Sequence, residues 1–173
     1  RVLITSRQPL GIRGESLLRL DGLPTPPQQA ALALSAPAYA SVALFVERAR
    51  QQQHTFAITP ANRDALEYIC RLVAGNALAL ELAAAWVEHF SLTEMTTLLE
   101  TDILDFLHSS QPDVPARHRS LRRVIETSWQ LLSTPVQRVL AQLSLFRGSF
   151  PREAALAVTD GTLDLLVKLV NSS

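Results

Sequence analysis

From residue 42 to residue 170 the apolar residues recur at helical spacing, segment after segment, and that recurrence leaves little room for a sheet. In "SVALFVERARQQQ", Val42, Phe45, Val46 and Ala49 share one face while Glu47, Arg48 and Arg50 fall elsewhere. In "TPANRDALEYICRLVAG", Leu66, Ile69, Cys70 and Val73 keep the i, i+3, i+4, i+7 rule. Thr59 is the expected N-cap, Pro60 the first helical residue and Gly75 the left-handed stop. "NALALELAAAWVEHF" is expected to be capped by Asn76 and to bury Leu78, Leu82, Ala85 and Trp86. "SLTEMTTLLETDILDFLH" opens with a capping box, Ser91 to Glu94, and stripes Met95, Leu98, Leu99, Asp102 and Phe106. The carboxylate on that stripe implies a partly wet seam. Only 6 glycines interrupt 173 residues, so composition agrees with the helical period.

A break at "SSQPDVPA", residues 109–116, carries two prolines and an acid, and a domain boundary is expected there. Beyond it, "RHRSLRRVIETSWQLL" turns Leu121, Val124, Ile125, Ser128 and Leu132 inward. "STPVQRVLAQLSLF" offers Thr134 as cap, Pro135 at the first position and Gln137 to complete a capping box. Val136, Val139, Leu140 and Leu143 form its stripe; a turn at Gly148 and a helix from Pro151 follow. "TLDLLVKLVNSS" contributes Leu163, Leu166, Val167 and Val170. Ahead of all this, "RVLITSR" reads as one buried-type strand. "SLLRLDGL" could add another brief strand, and the Pro- and Gly-rich stretch up to Pro27 reads as an irregular linker. A short helix stopped before Pro37 is the reading of "QQAALALSAPAYA".

The balance of 16 basic and 16 acidic residues provides no global field toward nucleic acid or membrane. No apolar run reaches the roughly 18–20 residues of a membrane span. One cysteine, Cys70, cannot form an internal disulfide, which fits a cytoplasmic protein, and on an apolar stripe it reads as a core thiol. His54, His89, His108 and His118 have no ligand spacing, so no metal site is expected. Glu100, Asp102 and Asp105 read as a solvated helix face, and no G-x-S-x-G elbow or catalytic triad occurs.

"RVLITSRQPLGIRGE", "SVALFVERAR", "ICRLVAGNALALELAAAWV" and "RHRSLRRVIETSWQLLSTPVQRVLAQLSLFRGSFPREAALAV" together resemble the STAND group of bacterial signal-transducing, NB-ARC-type AAA+ ATPases. The resemblance implies a mainly α fold in three parts. Residues 1–24 would be the end of a P-loop nucleotide domain with its sensor-1 strand. Residues 36–110 would be a helical lid, and residues 116–173 an incomplete winged-helix domain.

It further implies an ADP/ATP-dependent conformational switch linked to transcription regulation, with Mg and nucleotide held in a longer parent ATPase. Arg7 would sense phosphate, since an arginine past a strand end can fork onto phosphate oxygens. The helix start at Gly75, Ala77 and Leu78 would touch the nucleotide, although Ala77 stands where the family has proline. No G-x-x-x-x-G-K-[ST] occurs, so this chain alone is expected neither to bind a cofactor nor to hydrolyse ATP. The expected partners are the P-loop domain and, through an unpaired first strand, a second copy.

The basic run Arg117, His118, Arg119, Arg122 and Arg123 could grip phosphates, but it lacks interleaved aromatics. The resemblance implies that this helix opens a winged-helix domain packed on the nucleotide domain, so an intramolecular or interdomain contact is preferred and DNA is held unlikely. The alternatives are a DNA-binding winged-helix module and a ligand-free helical interaction scaffold.

Overall fold

The computed structural model describes residues 2–6, 9–28, 39–108 and 119–171. Eight helices run through them: α1 (Ala40–Gln52), α2 (Arg63–Leu72), α3 (Ala77–Ala84), α4 (Leu92–Phe106), α5 (Leu121–Gln130), α6 (Thr134–Leu143), α7 (Arg152–Val158) and α8 (Leu163–Asn171). The mainly helical reading stands. The expected first strand does not: residues 2–6 carry no regular structure, and Val2 and Leu3 are 85% and 95% exposed. An apolar run becomes a strand only by pairing, and the sole bridge among the described residues joins His108 to Ser120. "SLLRLDGL" is likewise without strand structure, and the proposed helix before Pro37 and the break at residues 109–116 lie largely or wholly outside the described residues.

The chain divides into two compact units, Leu20–Ile125 and a unit made of Arg1–Arg19 with Glu126–Ser173. In the first, α1 packs on α3 and α2 on α4, with α1 also meeting α2. Their shared core includes Phe45, Leu66, Ile69, Cys70, Leu80, Met95 and Leu99, each nearly or fully buried. Stripes read from α1 and α2 match this core.

Local chemistry explains most of the boundaries. The Asn76 side chain accepts from the Ala79 N–H at 3.0 Å, starting α3. At α4 the Glu94 carboxylate accepts from the Ser91 N–H at 2.8 Å, and the Ser91 hydroxyl oxygen accepts from the Glu94 N–H at 3.3 Å. The Ser91 hydroxyl also donates to the Glu94 carboxylate at 2.7 Å, and this bond, followed by the one from the Ser91 N–H, holds the Glu94 carboxyl below the usual carboxylate range.

Helix α2 begins at Arg63, one turn later than Thr59 and Pro60 suggest. The Asn62 side chain accepts from the Thr59 N–H at 2.7 Å and donates to Ala57 O at 3.0 Å, closing a separate turn ahead of the helix. In α3 the buried set is Ala79, Leu80, Leu82, Ala83 and Ala84, while Leu78, Ala85 and Trp86 are only half-buried. A helix that is apolar nearly all round offers no stripe from which to choose a face.

Asp102 corrects the wet-seam reading. It breaks α4 with φ −153° and ψ 88°, and its carboxylate accepts from the Leu104 and Asp105 N–H groups at 3.2 and 3.0 Å. It is thus the N-cap of a last short turn, and the Asp105 N–H lowers its pKa. Beyond the break, Phe106 meets Trp86 and Phe90 with ring centroids 5.6 and 6.0 Å apart, at the edge of the core.

In the second unit α6 meets α7 and α8 around Val136, Val139 and Ala155. The Thr159 hydroxyl donates to Ala155 O at 2.8 Å and accepts from the Gly161 N–H at 3.2 Å. Gln142 closes the same turn, donating to the Asp160 carboxylate and accepting from the Asp160 N–H. The expected box at α6 is absent: Ser133 is the N-cap, without a side-chain cap bond, and Gln137 donates to Trp129 O at 2.7 Å. Helix α5 buries none of its expected inward face; Leu121, Val124, Ser128 and Leu132 are half-buried and Ile125 is 47% exposed.

Candidate nucleic-acid interface and the glycine corner

Two places gather the residues singled out from the sequence. The basic run leads into α5, and the structure describes its last part, Arg119 to Arg123; Arg117 lies outside the described residues, as does Arg7. Leu121 N–H donates to Leu107 O at 3.1 Å, tying the start of α5 to the end of α4. Arg122 extends that tie, its Nε 2.8 Å and its Nη2 2.6 Å from Asp105 Oδ1, with Asp102 at 3.9 Å. His108 donates from Nδ1 to Asp105 O at 2.8 Å on the same turn. Arg122 therefore works inside its own unit, at a half-exposed ion pair that contributes little by itself. Arg119 is half-buried and Arg123 exposed.

The other place is the corner between α2 and α3. Helix α2 ends with Gly75 N–H donating to Cys70 O at 3.0 Å, and Ala74 and Gly75 both take positive φ, 50° and 66°. Gly75 is buried, Leu78 half-buried and Ala77 exposed. The chain's own backbone lies against this corner: Leu23 N–H donates to Gly75 O at 2.8 Å. A methyl group on Gly75 would come within 2.9 Å of Leu23 C and N, and one on Gly22 would collide with Ala74 O.

This contact was not legible in the sequence, where residues 20–28 read as plain linker. Pro24 O accepts from the Ser41 hydroxyl at 2.7 Å, Pro26 O accepts from Arg71 at 3.4 Å, and Pro26 is fully buried. Behind them Cys70 lies fully buried beside Ser41, and burial, opposed by the neighbouring Ser41 hydroxyl and the Arg71 charge, pushes its thiol up to about 11. Among the described residues no group of His, Cys, Asp and Glu could hold a metal ion, and no helix is long and apolar enough to cross a membrane.

The chain is 32% identical over 179 residues to a Mycobacterium tuberculosis protein named "Putative HTH-type transcriptional regulator", and equally to its Mycobacterium bovis counterpart. The match takes in 99% of this chain and 19% of the relative. A second Mycobacterium tuberculosis relative, named "Uncharacterized protein", is 32% identical over 157 residues, 91% of this chain and 37% of its own length. The chain thus spans well under half of the curated relatives it matches. No family model matches it, and no solved structure does.

These findings overturn the identification with STAND-type ATPases, which no relative's name supports. The resemblance rested on capped amphipathic helices, and such helices recur in many folds because packing demands them. They also overturn the reading of DNA as an unlikely partner. Missing aromatics bear on stacking with unpaired bases, whereas a duplex is gripped chiefly through its phosphates.

Proposed function

We propose that this chain is a helical part of a transcription regulator and that it contacts duplex DNA through the basic run at the start of α5. The observation that carries the reading is the "HTH-type transcriptional regulator" relative aligned along 99% of the chain. Two further features support it. Arg119, Arg122 and Arg123 lie together at one helix start, which suits several phosphate contacts. Only residues 131–133 separate α5 from α6, a connection of helix-turn-helix length. A helix-turn-helix or winged-helix arrangement of α5–α8 goes with this reading, as does a cytoplasmic location.

The test is fluorescence anisotropy of a mixed-sequence duplex titrated with the protein across a salt series. Each lost phosphate contact should lower the slope of log K against log salt by roughly 0.9. The Arg119→Ala/Arg123→Ala double variant should therefore lose close to twice that, while Arg63→Ala, at an exposed position at the start of α2, should lose nothing. Arg122→Ala is kept apart, since it also breaks the Asp105 pair. Salt-independent or absent binding by the parent chain would end the proposal.

Interaction with protein is the second reading. Leu163, Val167 and Val170 stand at helical spacing on α8 and are 52%, 49% and 57% exposed. Light scattering that shows a strictly monomeric chain up to high concentration would disfavour self-association as its form.

A further inference from the structure

We infer that residues 22–26 are a releasable strap that opens from an otherwise folded helical unit, and that its opening uncovers the Cys70 thiol. The strap's seat is built almost wholly from backbone. Gly22 and Gly75 let the two chains approach so closely that a side chain on either would collide with the other. Its ties are few: Leu23 N–H to Gly75 O, Ser41 N–H and hydroxyl to Pro24 O at 3.4 and 2.7 Å, and Arg71 to Pro26 O. Pro26 is its one fully buried side chain, and Leu23 is half-buried.

Release therefore leaves every helical hydrogen bond of α1, α2 and α3 in place and costs only ties that water can replace. Segments with few apolar contacts and solvent-replaceable bonds are those that open locally. Prolines at 24, 26 and 27 add to this. They hold the released segment extended and lack the N–H groups that would draw it into other pairings.

Ser41 links the strap to the thiol. It is fully buried in α1, with its hydroxyl between the Pro24 carbonyl and Cys70. When the strap lifts, the hydroxyl loses its acceptor and turns toward entering water, and the thiol behind it comes within reach of solvent. Connectivity gives the strap its place as a device. The chain passes from residues 1–19 into the unit Leu20–Ile125 immediately ahead of it, so a pull on the preceding chain acts on the strap first.

Cys70 is the single cysteine of the chain, so its modification reports the opening without ambiguity. The full chain is treated with Ellman's reagent at mildly alkaline pH over a series of urea concentrations below the unfolding midpoint. The labelling rate should be nearly flat in urea, because local opening exposes little surface, and should bend to the full unfolding slope only near the midpoint. Gly22→Ala should raise the flat portion about tenfold or more, the ratio equivalent to about 1.4 kcal/mol. Ser41→Ala should raise it as well, with helical circular dichroism unchanged in both.

Labelling that follows the global unfolding slope at every urea concentration would overturn the strap, as would folded Gly22→Ala and Ser41→Ala chains that label at the parent's rate. If a variant fails to fold, the urea dependence of the parent chain decides alone.

Discussion

The two units answer the same kind of sequence in different ways. In Leu20–Ile125 the helical stripes meet one another, and Phe45, Leu66, Ile69, Leu80, Met95 and Leu99 vanish into a common core. In Glu126–Ser173 equally regular stripes leave Leu163, Val167 and Val170 about half-exposed, and among the described residues there only Val136, Val139 and Ala155 are buried apolar residues. Periodicity says which residues share a face. It is silent on whether another layer covers that face, and coverage is what stabilises the fold.

The sharpest way to break this contrast is to cut the two cores. Phe45→Ala should cost about 3–5 kcal/mol. Val139→Ala removes less side chain from a thinner core and should cost about half that or less. Urea melts followed separately through Trp86 and Trp129, one in each unit, would check this, with the other tryptophan replaced by Phe. Equal losses would erase the distinction between the units.

Next comes the corner. Gly75→Ala places a side chain at φ 66° against Leu23 and should destabilise the first unit by roughly 1–3 kcal/mol, seen as a shifted Trp86 melt. A smaller effect belongs to the α4 cap, where Ser91→Ala should cost about 1 kcal/mol. The Glu94 side of that cap depends on pH. Its folded pKa is depressed, so its contribution is present above the unfolded value and disappears as acid titrates the carboxylate through the folded one. A melting midpoint that falls less steeply across acidic pH after Glu94→Gln than in the parent would show it.

The alkaline side tests Cys70. The unfolded thiol ionises near ~8.5, the folded one only at about 11. The unfolded state therefore gives up its proton first, and stability should fall as pH rises between those values. Cys70→Ala should remove that fall from the urea midpoint. Smallest of all is Ser133→Ala, whose side chain caps nothing. A change within about 0.5 kcal/mol is expected there, and a loss as large as Ser91→Ala would mean that both units cap their helices alike.

Some structural features were plain in the residues. The Ser91–Glu94 box, the Asn76 cap and the left-handed Gly75 are local, each settled within five positions of chain, and each is found as read. Three others went astray because a polar side chain took up nearby backbone groups in place of the expected helical pattern. Asn62 took over the start of α2 by closing a turn, Gln137 turned to Trp129 instead of its own cap, and Asp102 ended a helix it had been expected to continue. Of the candidate site, the basic run was legible as charge, but the pairing of Arg122 with Asp105 was not, because those residues lie 17 positions apart. A neutral net charge and missing aromatics also led away from DNA, although phosphate contact needs neither a global field nor stacking.

By itself the sequence determined that this protein is helical, which residues line the α1 and α2 faces, and how α3 and α4 begin, since those depend on neighbours within a turn or two. Only the tertiary structure decided that the first unit closes over its stripes while the second leaves much of its apolar face open. It also decided that a proline-rich linker lies seated against the Gly75 corner. Both outcomes depend on segments meeting across long stretches of chain, where steric fit between backbones and the covering of apolar surface outweigh any local preference.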